Sequence, residues 1–408
     1  MVKQGYKQTE IGVIPEDWEV KELKEVVELR REKVNPLTSK EVFRCIELEN
    51  ILPNTGRIVG EIYTNEVVSL KTKFFKHDVL FGKLRPYLRK YGLPDFDGVC
   101  TSEIWVLYSK LISHNFLYYI IQTDKLIELA NQSTGTKMPR AEWSIVSSLK
   151  FPLPPLPEQE AIAEALSDAD AWIESLEQLI AKKRLIKQGA MQELLTPPSP
   201  SSGNADGEAL EPWEVKKLGD YVKFQTGFPF SSDFFNTQMI GERLIKNRDL
   251  RSDDSIFYYS GEFKKEFIVN NGDLLIGMDG DFEPVLWKKG KALLNQRVGR
   301  VLKLKDISIE YLAYSLIDKL KEIEESTGST TVKHLSHSDI ENLEYKIPSL
   351  SDQERIATIL SDMDAELEAL EQKLSKARQI KQGMMQELLT GRVRLCAPMN
   401  KQPQDVVP

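Results

Sequence analysis

Apolar residues recur at Ile162, Leu166, Ala169, Ile173, Leu176 and Ile180 in alternating steps of four and three, and the same spacing returns at Ile356, Leu360, Met363, Leu367, Leu370 and Leu374. Such steps lay one apolar stripe along a helix that pairs with another helix, the heptad seam of a coiled coil. Beyond it the stripe shifts phase to Ile186, Ala190 and Leu194, and to Ile380, Met384 and Leu388, a change that locally alters a supercoil. The two stretches, 157–196 and 351–390, align without a gap, so that Ile173 answers Leu367 and Leu194 answers Leu388. That is a duplication. Each predicts a helix of about 38 residues spanning ~57 Å at ~1.5 Å per residue, far longer than an ordinary domain helix.

The rest of the chain alternates differently. Trp18 opens a Trp-Glu-Val-Lys run that returns at Trp213, and each tryptophan reads as a core anchor at the start of a globular unit. Short β-like runs at 60–64, 78–81 and 104–108 are separated by Gly, Asn and Pro, and an apolar face over 115–130 predicts one helix. The second unit repeats the order, with strands at 272–276 and 299–302 and a helix over 309–325; Gly272-Asp273 stands where the first has His77-Asp78. Each unit closes on a Ser/Thr/Gly loop, 131–139 and 326–334. In the first, a proline-rich run then ends at Pro157, which can begin a helix, with Glu158 and Glu160 at the positive end of its dipole.

The expected organisation is an α+β globular domain over 1–156, a spacer helix over 157–196, a Pro/Ser-rich linker over 197–212, a second globular domain over 213–348, a second spacer helix over 349–391 and a tail over 392–408. Residues 1–17 and the tail are expected to be loosely held. Because the second domain lies between the two helices, the second helix is expected to run back antiparallel to the first. The predicted form is a dumbbell with a pseudo-twofold axis, matching the dyad of duplex DNA, and its rod is long enough to act as a ruler.

Composition then narrows the chemistry. The 54 basic and 62 acidic residues leave a net charge of −8, which by itself argues against nucleic acid. Each long helix, however, carries eight carboxylates, so other segments are more basic than the mean. Two stand out: 71–90, with seven cations against Asp78, and 285–305, with seven cations and no acid. No apolar run reaches the ~20 residues of a membrane span, nor does the N-terminus offer a signal peptide, so a cytoplasmic protein is expected. Cys45, Cys100 and Cys396 follow no metal or disulfide spacing and are expected to be reduced thiols.

Catalytic motifs are missing from the sequence. It has no phosphate-binding GxxxxGK[ST], no GxGxxG, and no Asn-Pro-Pro-aromatic run of amino-methyltransferases. His334 and His337 are spaced to share a helix face but lack further ligands for a metal. What remains is a binding inventory. Lys83, Arg85, Arg89 and Lys90 interleave with Tyr87 and Tyr91, where lysines suit phosphates and arginines can reach guanine edges; a solvated strand edge is the competing reading. Lys288, Lys289, Lys291 and Arg297 form the second basic run, while Thr136, Lys137, Thr330, Lys333 and His334 belong to the Ser/Thr/Gly loops, candidates for phosphate contact.

The Leu-Pro-Pro-Leu-Pro-Glu-Gln helix entrance, the paired Gln159-Glu160 and Gln353-Glu354, the Ile-Lys-Gln-Gly…Met-Gln-Glu-Leu-Leu-Thr helix ends and the Ile14-Pro15-Glu16-Asp17-Trp18 opening together resemble the DNA-specificity subunit of type I restriction-modification enzymes. The likeness covers nearly the whole chain; 209–213 departs from the pattern of 14–18. It implies two target recognition domains, each reading one half of a bipartite DNA site, joined by helices that set the spacer and dock two methyltransferase subunits. It also implies motor-nuclease subunits as further partners. S-adenosylmethionine, ATP and magnesium would be carried by those partners, with no cofactor and no catalysis on this chain.

Overall fold

The computed structural model describes residues 3–60, 62–132, 138–198, 213–280, 282–326 and 333–396. The chain divides into two compact units, Met1–Glu177 with Gln372–Pro408, and Gln178–Glu371. The division cuts both long helices, Leu156–Leu194 and Leu350–Leu388, each of 39 residues. Each unit therefore holds one globular domain, the N-terminal part of one long helix and the C-terminal part of the other.

In the first unit the segment 6–15, expected to be loosely held, is ordered as a hairpin. Tyr6–Thr9 and Gly12–Pro15 pair as a hairpin closed by a two-residue turn, with Gly12 at φ +119°, and Ile14 enters the core. The repeated Trp-Glu-Val-Lys run is a strand, Glu19–Glu22, that pairs antiparallel with Lys150–Leu153 just before the long helix. Glu214–Lys217 and Glu344–Ile347 do the same in the second unit. The start and the end of each domain thus lie side by side, so a compact domain leads its chain straight into a helix.

Both domains share a two-sheet plan. A four-stranded antiparallel sheet runs Tyr91–Gly92, Val79–Gly82, Ile104–Tyr108, Glu28–Leu29 in the first unit, and Pro284–Leu286, Leu274–Gly277, Val298–Lys303, Val222–Thr226 in the second. The second sheet carries one parallel pair in each, Arg44–Ile46 with Gly98–Cys100 and Glu242–Ile245 with Ala292–Leu294. The extra edge strand differs: Lys33–Val34 in one, Phe235–Asn236 in the other. The helix expected over 115–130 is two helices, His114–Ile120 and Asp124–Ala130, because Thr123 turns extended at ψ 145° and its hydroxyl donates to the Ile120 carbonyl at 2.8 Å. Its counterpart Ile309–Ser326 is continuous.

The duplicated helix starts have a physical reason. Gln159 Oε1 accepts the Ser113 N–H at 2.9 Å while its Nε2 donates to the Pro154 carbonyl at 2.9 Å; Gln353 repeats both bonds with Ser308 and Pro348, at 2.9 Å each. Both glutamines are buried, so these bonds clamp helix to domain. Glu158 does more than meet a helix dipole: it is buried, accepts Trp18 Nε1–H at 2.8 Å and pairs with Arg394 at 2.7 Å. The start of the tail expected to fray, up to Cys396, is therefore held by the first domain.

The antiparallel pairing of the helices is visible within each unit. Met384, Met385, Leu388 and Leu389 pack into the core around Trp18, Ile162 and Leu166. Ala190, Met191, Leu194 and Leu195 pack likewise around Ile356, Ala357 and Leu360. Ion pairs repeat too: Lys381–Asp170 at 2.6 Å answers Lys187–Asp364 at 2.5 Å, and Arg378–Glu177 at 2.7 Å answers Arg184–Glu371 at 2.5 Å. Tyr119 and Tyr314 donate to those same aspartates, at 3.0 and 2.8 Å. Surface pairs contribute only roughly 0–1 kcal/mol each, so their repetition sets register more than stability.

The predicted seam needs correction at several places. Leu176, Ile180, Leu367 and Leu370 are buried as expected of a seam, but Ile162, Leu166, Ile356 and Leu360 belong to the domain cores. Ile173 and Leu374 are only half-buried, and Ile186 and Ile380, at the phase change, are exposed. A straight helix rotates away from a strict heptad stripe. From there the apolar residues serve the domain face, and Lys187 and Lys381 take up the aspartates.

Candidate nucleic-acid interface

In the first unit strand Val79–Gly82 runs out into the loop 83–90, and three backbone hydrogen bonds hold its beginning. The Lys83 N–H donates to the Glu103 carbonyl at 2.9 Å, the Ala141 N–H to the Lys83 carbonyl at 2.8 Å, and the Arg85 N–H to the Pro139 carbonyl at 2.8 Å. The second unit repeats this ladder. Met278 N–H donates to Arg297 at 3.0 Å, Leu335 N–H to Met278 at 2.8 Å, and Gly280 N–H to Lys333 at 3.2 Å. Leu84 bridges Arg140 where Asp279 bridges His334. The scaffold is the same; the side chains are not.

Arg85 holds a left-handed backbone at φ +52°, where the second domain has Gly280 at φ +79°. A side chain there costs roughly 1–2 kcal/mol, and strain of this kind clusters at functional positions. Arg85 and Tyr87 are exposed, and among the described residues Lys83 and Arg85 have no ion-pair partner. Arg89, also left-handed, is instead tied to Asp124 and to the Gln122 carbonyl, and Lys90 Nζ donates to the Leu48 carbonyl at 2.6 Å. These two pin the loop to its own domain. The basic run 71–90 is thus no single face: Lys71 is buried on Glu47 and Ser69, and Lys73 pairs with Glu32 at 3.0 Å.

The second basic run splits similarly. Lys288 is exposed and unpaired among the described residues, while Lys289 reaches Asp253 at 2.9 Å and Lys291 reaches Glu242 at 2.6 Å. Lys289 and, next, Arg243 hold the Asp253 carboxyl below its usual range, so those charges are largely spent on each other. Arg297 and His334 meet on one carboxylate, Asp279, the imidazole Nδ1 at 2.8 Å. Lys333 pairs with Glu324 at 3.3 Å. His337 begins the short helix His337–Glu341 and its Nε2 meets Thr226 Oγ1 at 2.6 Å, so the two histidines do not share a helix face. Thr136, Lys137 and Thr330 lie outside the described residues.

Sequence reasoning missed several members of these surfaces. Arg140, whose Nε donates to Glu103 at 3.0 Å, stands on the rung that His334 occupies in the other half. Asn247 donates to the Asp279 carbonyl at 2.6 Å, and beside it Lys246 lies over the Phe257 ring at 3.1 Å, its pKa lowered by burial and then by Arg248. Aligning the segments that follow the two Ser/Thr/Gly loops would have found Arg140; nothing local marks Asn247.

A cavity of about 850 Å³ in the first unit is walled by Arg57, Glu174, Glu177, Arg378, Lys381 and Asp170, charges that pair with one another. Cys45 and Cys100 are buried free thiols, and burial pushes Cys45 up to about 11. Among the described residues no group of three or more His, Cys, Asp and Glu side chains could hold a metal, and no helix is long and apolar enough to cross a membrane.

Two α+β domains of one plan, each presenting differently furnished basic loops on the same ladder and each clamped to duplicated long helices, define a two-headed reader of nucleic acid. A sequence profile of the type I restriction modification DNA specificity domain matches residues 15–183 and again 210–379, and the chain belongs to that family. It is 26% identical over 423 aligned positions to the putative type I restriction enzyme MjaX specificity subunit of Methanocaldococcus jannaschii, covering 96% of this chain and 97% of that one. With the EcoBI specificity subunit of Escherichia coli it shares 32% identity over 186 positions, 44% of this chain and 39% of the other. The fold is shared with the type I restriction-modification S subunit of M. genitalium, at TM-score 0.59 and 17% identity over 91% of this chain and 96% of that one. A chain from a structure described as underlying complex assembly and conformational transition of the type I R-M system gives TM-score 0.56 at 20% identity, over 93% and 99%.

Proposed function

We propose that this chain is the non-catalytic DNA-recognition subunit of a type I restriction-modification complex, each domain reading one half of a bipartite duplex target. The two long helices set the spacer between the half-sites and dock two methyltransferase subunits, and motor-nuclease subunits complete the assembly. S-adenosylmethionine, ATP and magnesium belong to those partners, and the complex works in the cytoplasm. The carrying observation is a repeated backbone ladder with unlike side chains, Leu84, Glu103 and Arg140 against Asp279, Arg297 and His334. One scaffold used twice with different reading groups is what a target of two unlike halves requires.

The test is an exchange of residues 18–150 for the corresponding domain of another family member, in cells carrying the partner subunits, followed by sequencing of methylated DNA. One half of the methylated motif should change and the other persist. Change in both halves, or in neither, contradicts the assignment. Adding one helical turn to both long helices should lengthen the spacer, and an unchanged spacer contradicts the ruler.

A further inference from the structure

We infer that Arg140 in the first domain, and Arg297 with His334 in the second, read base edges, and that Glu103 and Asp279 are positioning residues that aim them. The inference rests on the DNA-specificity reading and goes beyond it to individual side chains. Three observations carry it.

The first is place. Glu103 and Arg140 stand on the backbone ladder that follows one strand, and Asp279, Arg297 and His334 stand on the equivalent ladder of the other domain. The carboxylate has changed position between the halves, following Glu103 in one and Asp279 in the other, yet each ladder keeps a carboxylate-held cation. The second is layering. Glu103 and Asp279 are recessed, at 26% and 20% side-chain exposure, while Arg140, Arg297 and His334 stand out at 50%, 56% and 55%. An exposed ion pair adds little stability, but a recessed carboxylate fixes the plane of the group in front of it.

The third is which atoms stay available. Arg140 spends Nε on Glu103, which leaves both Nη groups, a planar fork that matches guanine O6 and N7. Arg297 spends Nη1 on Asp279 and keeps Nη2 and Nε. His334 turns Nδ1 to Asp279, and in the tautomer whose Nδ1–H donates to that carboxylate, Nε2 is left as an acceptor for the amino group of cytosine or adenine. Each half-site is therefore expected to contain a guanine read by its arginine. The neighbouring Arg85, unpaired and left-handed, belongs to the same surface.

The chain is co-expressed with its methyltransferase subunits, and methylation of a randomised duplex library is sequenced for the wild type and for Arg140→Ala, Arg140→Lys, Glu103→Gln and Arg297→Ala. Arg140→Ala should reduce preference at one guanine of one half-site by roughly 5- to 150-fold, the worth of a bidentate base contact, and leave the other half intact. Arg297→Ala should do so in the other half. Glu103→Gln should weaken preference at the same base pair as Arg140→Ala, and the double variant should add nothing. Arg140→Lys keeps charge and stem, so it separates recognition from folding: the guanine preference should still fall, because lysine lacks the fork. An unchanged motif, or a loss uniform over all sequences with the salt slope reduced by about one as for a phosphate contact, overturns the inference. A wild type without any sequence preference would instead remove the specificity reading itself.

Discussion

Replacing Arg394 with Met tests whether the C-terminal segment is a structural part of the first domain. Its Nη1 and Nη2 donate to the two Asp17 carboxylate oxygens at 2.8 Å each, while Nε and Nη2 reach the Glu158 oxygens at 2.7 Å each. Trp18 Nε1–H supplies a further bond to Glu158, and the guanidinium lies 5.8 Å from the Trp18 ring. Glu158 is 2% exposed and Arg394 16%, so the arginine is what balances a carboxylate removed from water. Removing one member of such a pair costs roughly 3–5 kcal/mol; with Asp17 still 24% exposed, the lower end applies, about 3 kcal/mol. For a unit of roughly 200 residues each kcal/mol shifts the melting temperature by about 2–4 °C, giving about 6–12 °C. Adding Glu158→Gln, which removes the stranded charge but keeps an acceptor for Trp18, should recover much of the loss. Thermal melts followed by circular dichroism measure both variants. Hydrogen exchange at the Trp18 indole and along 392–396 localises the effect. A loss under about 1 kcal/mol, the size of an ordinary surface pair, or no recovery in the double variant, would refute this account of the clamp.

Two further outcomes are expected. Gln159→Ala strands the half-buried Ser113 N–H and the buried Pro154 carbonyl and should cost roughly 1–3 kcal/mol, with Gln353→Ala doing the same in the second unit; an unchanged midpoint in denaturant titration, or unaltered exchange at the Ser113 and Ser308 amides, would count against the clamp. His77 and His114 stack with centroids 4.7 Å apart and planes at 15°, and the His114 pKa is lowered by burial first and by His77 second, with Asp78 opposing. The unfolded chain, titrating near ~6.5, therefore takes up protons before the folded one as pH falls. The first unit should lose stability below that point and down through the lower folded pKa. Urea titrations at about pH 7.5 and about pH 5.5 should differ less in His114→Phe than in the wild type, and an equal difference would reject the assignment.

Much of the frame was legible from residue order alone. The long helices were, since a repeated apolar stripe without interior proline leaves the backbone little alternative, and the Gln159 and Gln353 motifs located their starts. Their antiparallel pairing followed from connectivity, because a domain whose first and last strands lie together must hand its chain into the second helix where the first one ends. Local pattern failed where a residue's role depends on a distant partner. Ile162 and Ile356 carry the heptad spacing yet face domain cores, and Ile186 and Ile380, apolar residues where the stripe shifts phase, are exposed. Arg394, in a polar proline-containing tail, gave no local sign that Asp17 and Glu158 would hold it.

The reading surface shows the same division. Sequence determined that two basic runs exist, the first interleaved with Tyr87 and Tyr91, and that they belong to a duplicated scaffold. Only the tertiary structure decided which cations remain available. Charge is a property of composition, but availability depends on which carboxylate or carbonyl the fold brings within about 3 Å. Arg89 and Lys90 are consumed by Asp124 and the Leu48 carbonyl. Arg140, isolated in sequence, is brought onto the ladder by a backbone pairing between segments more than fifty residues apart.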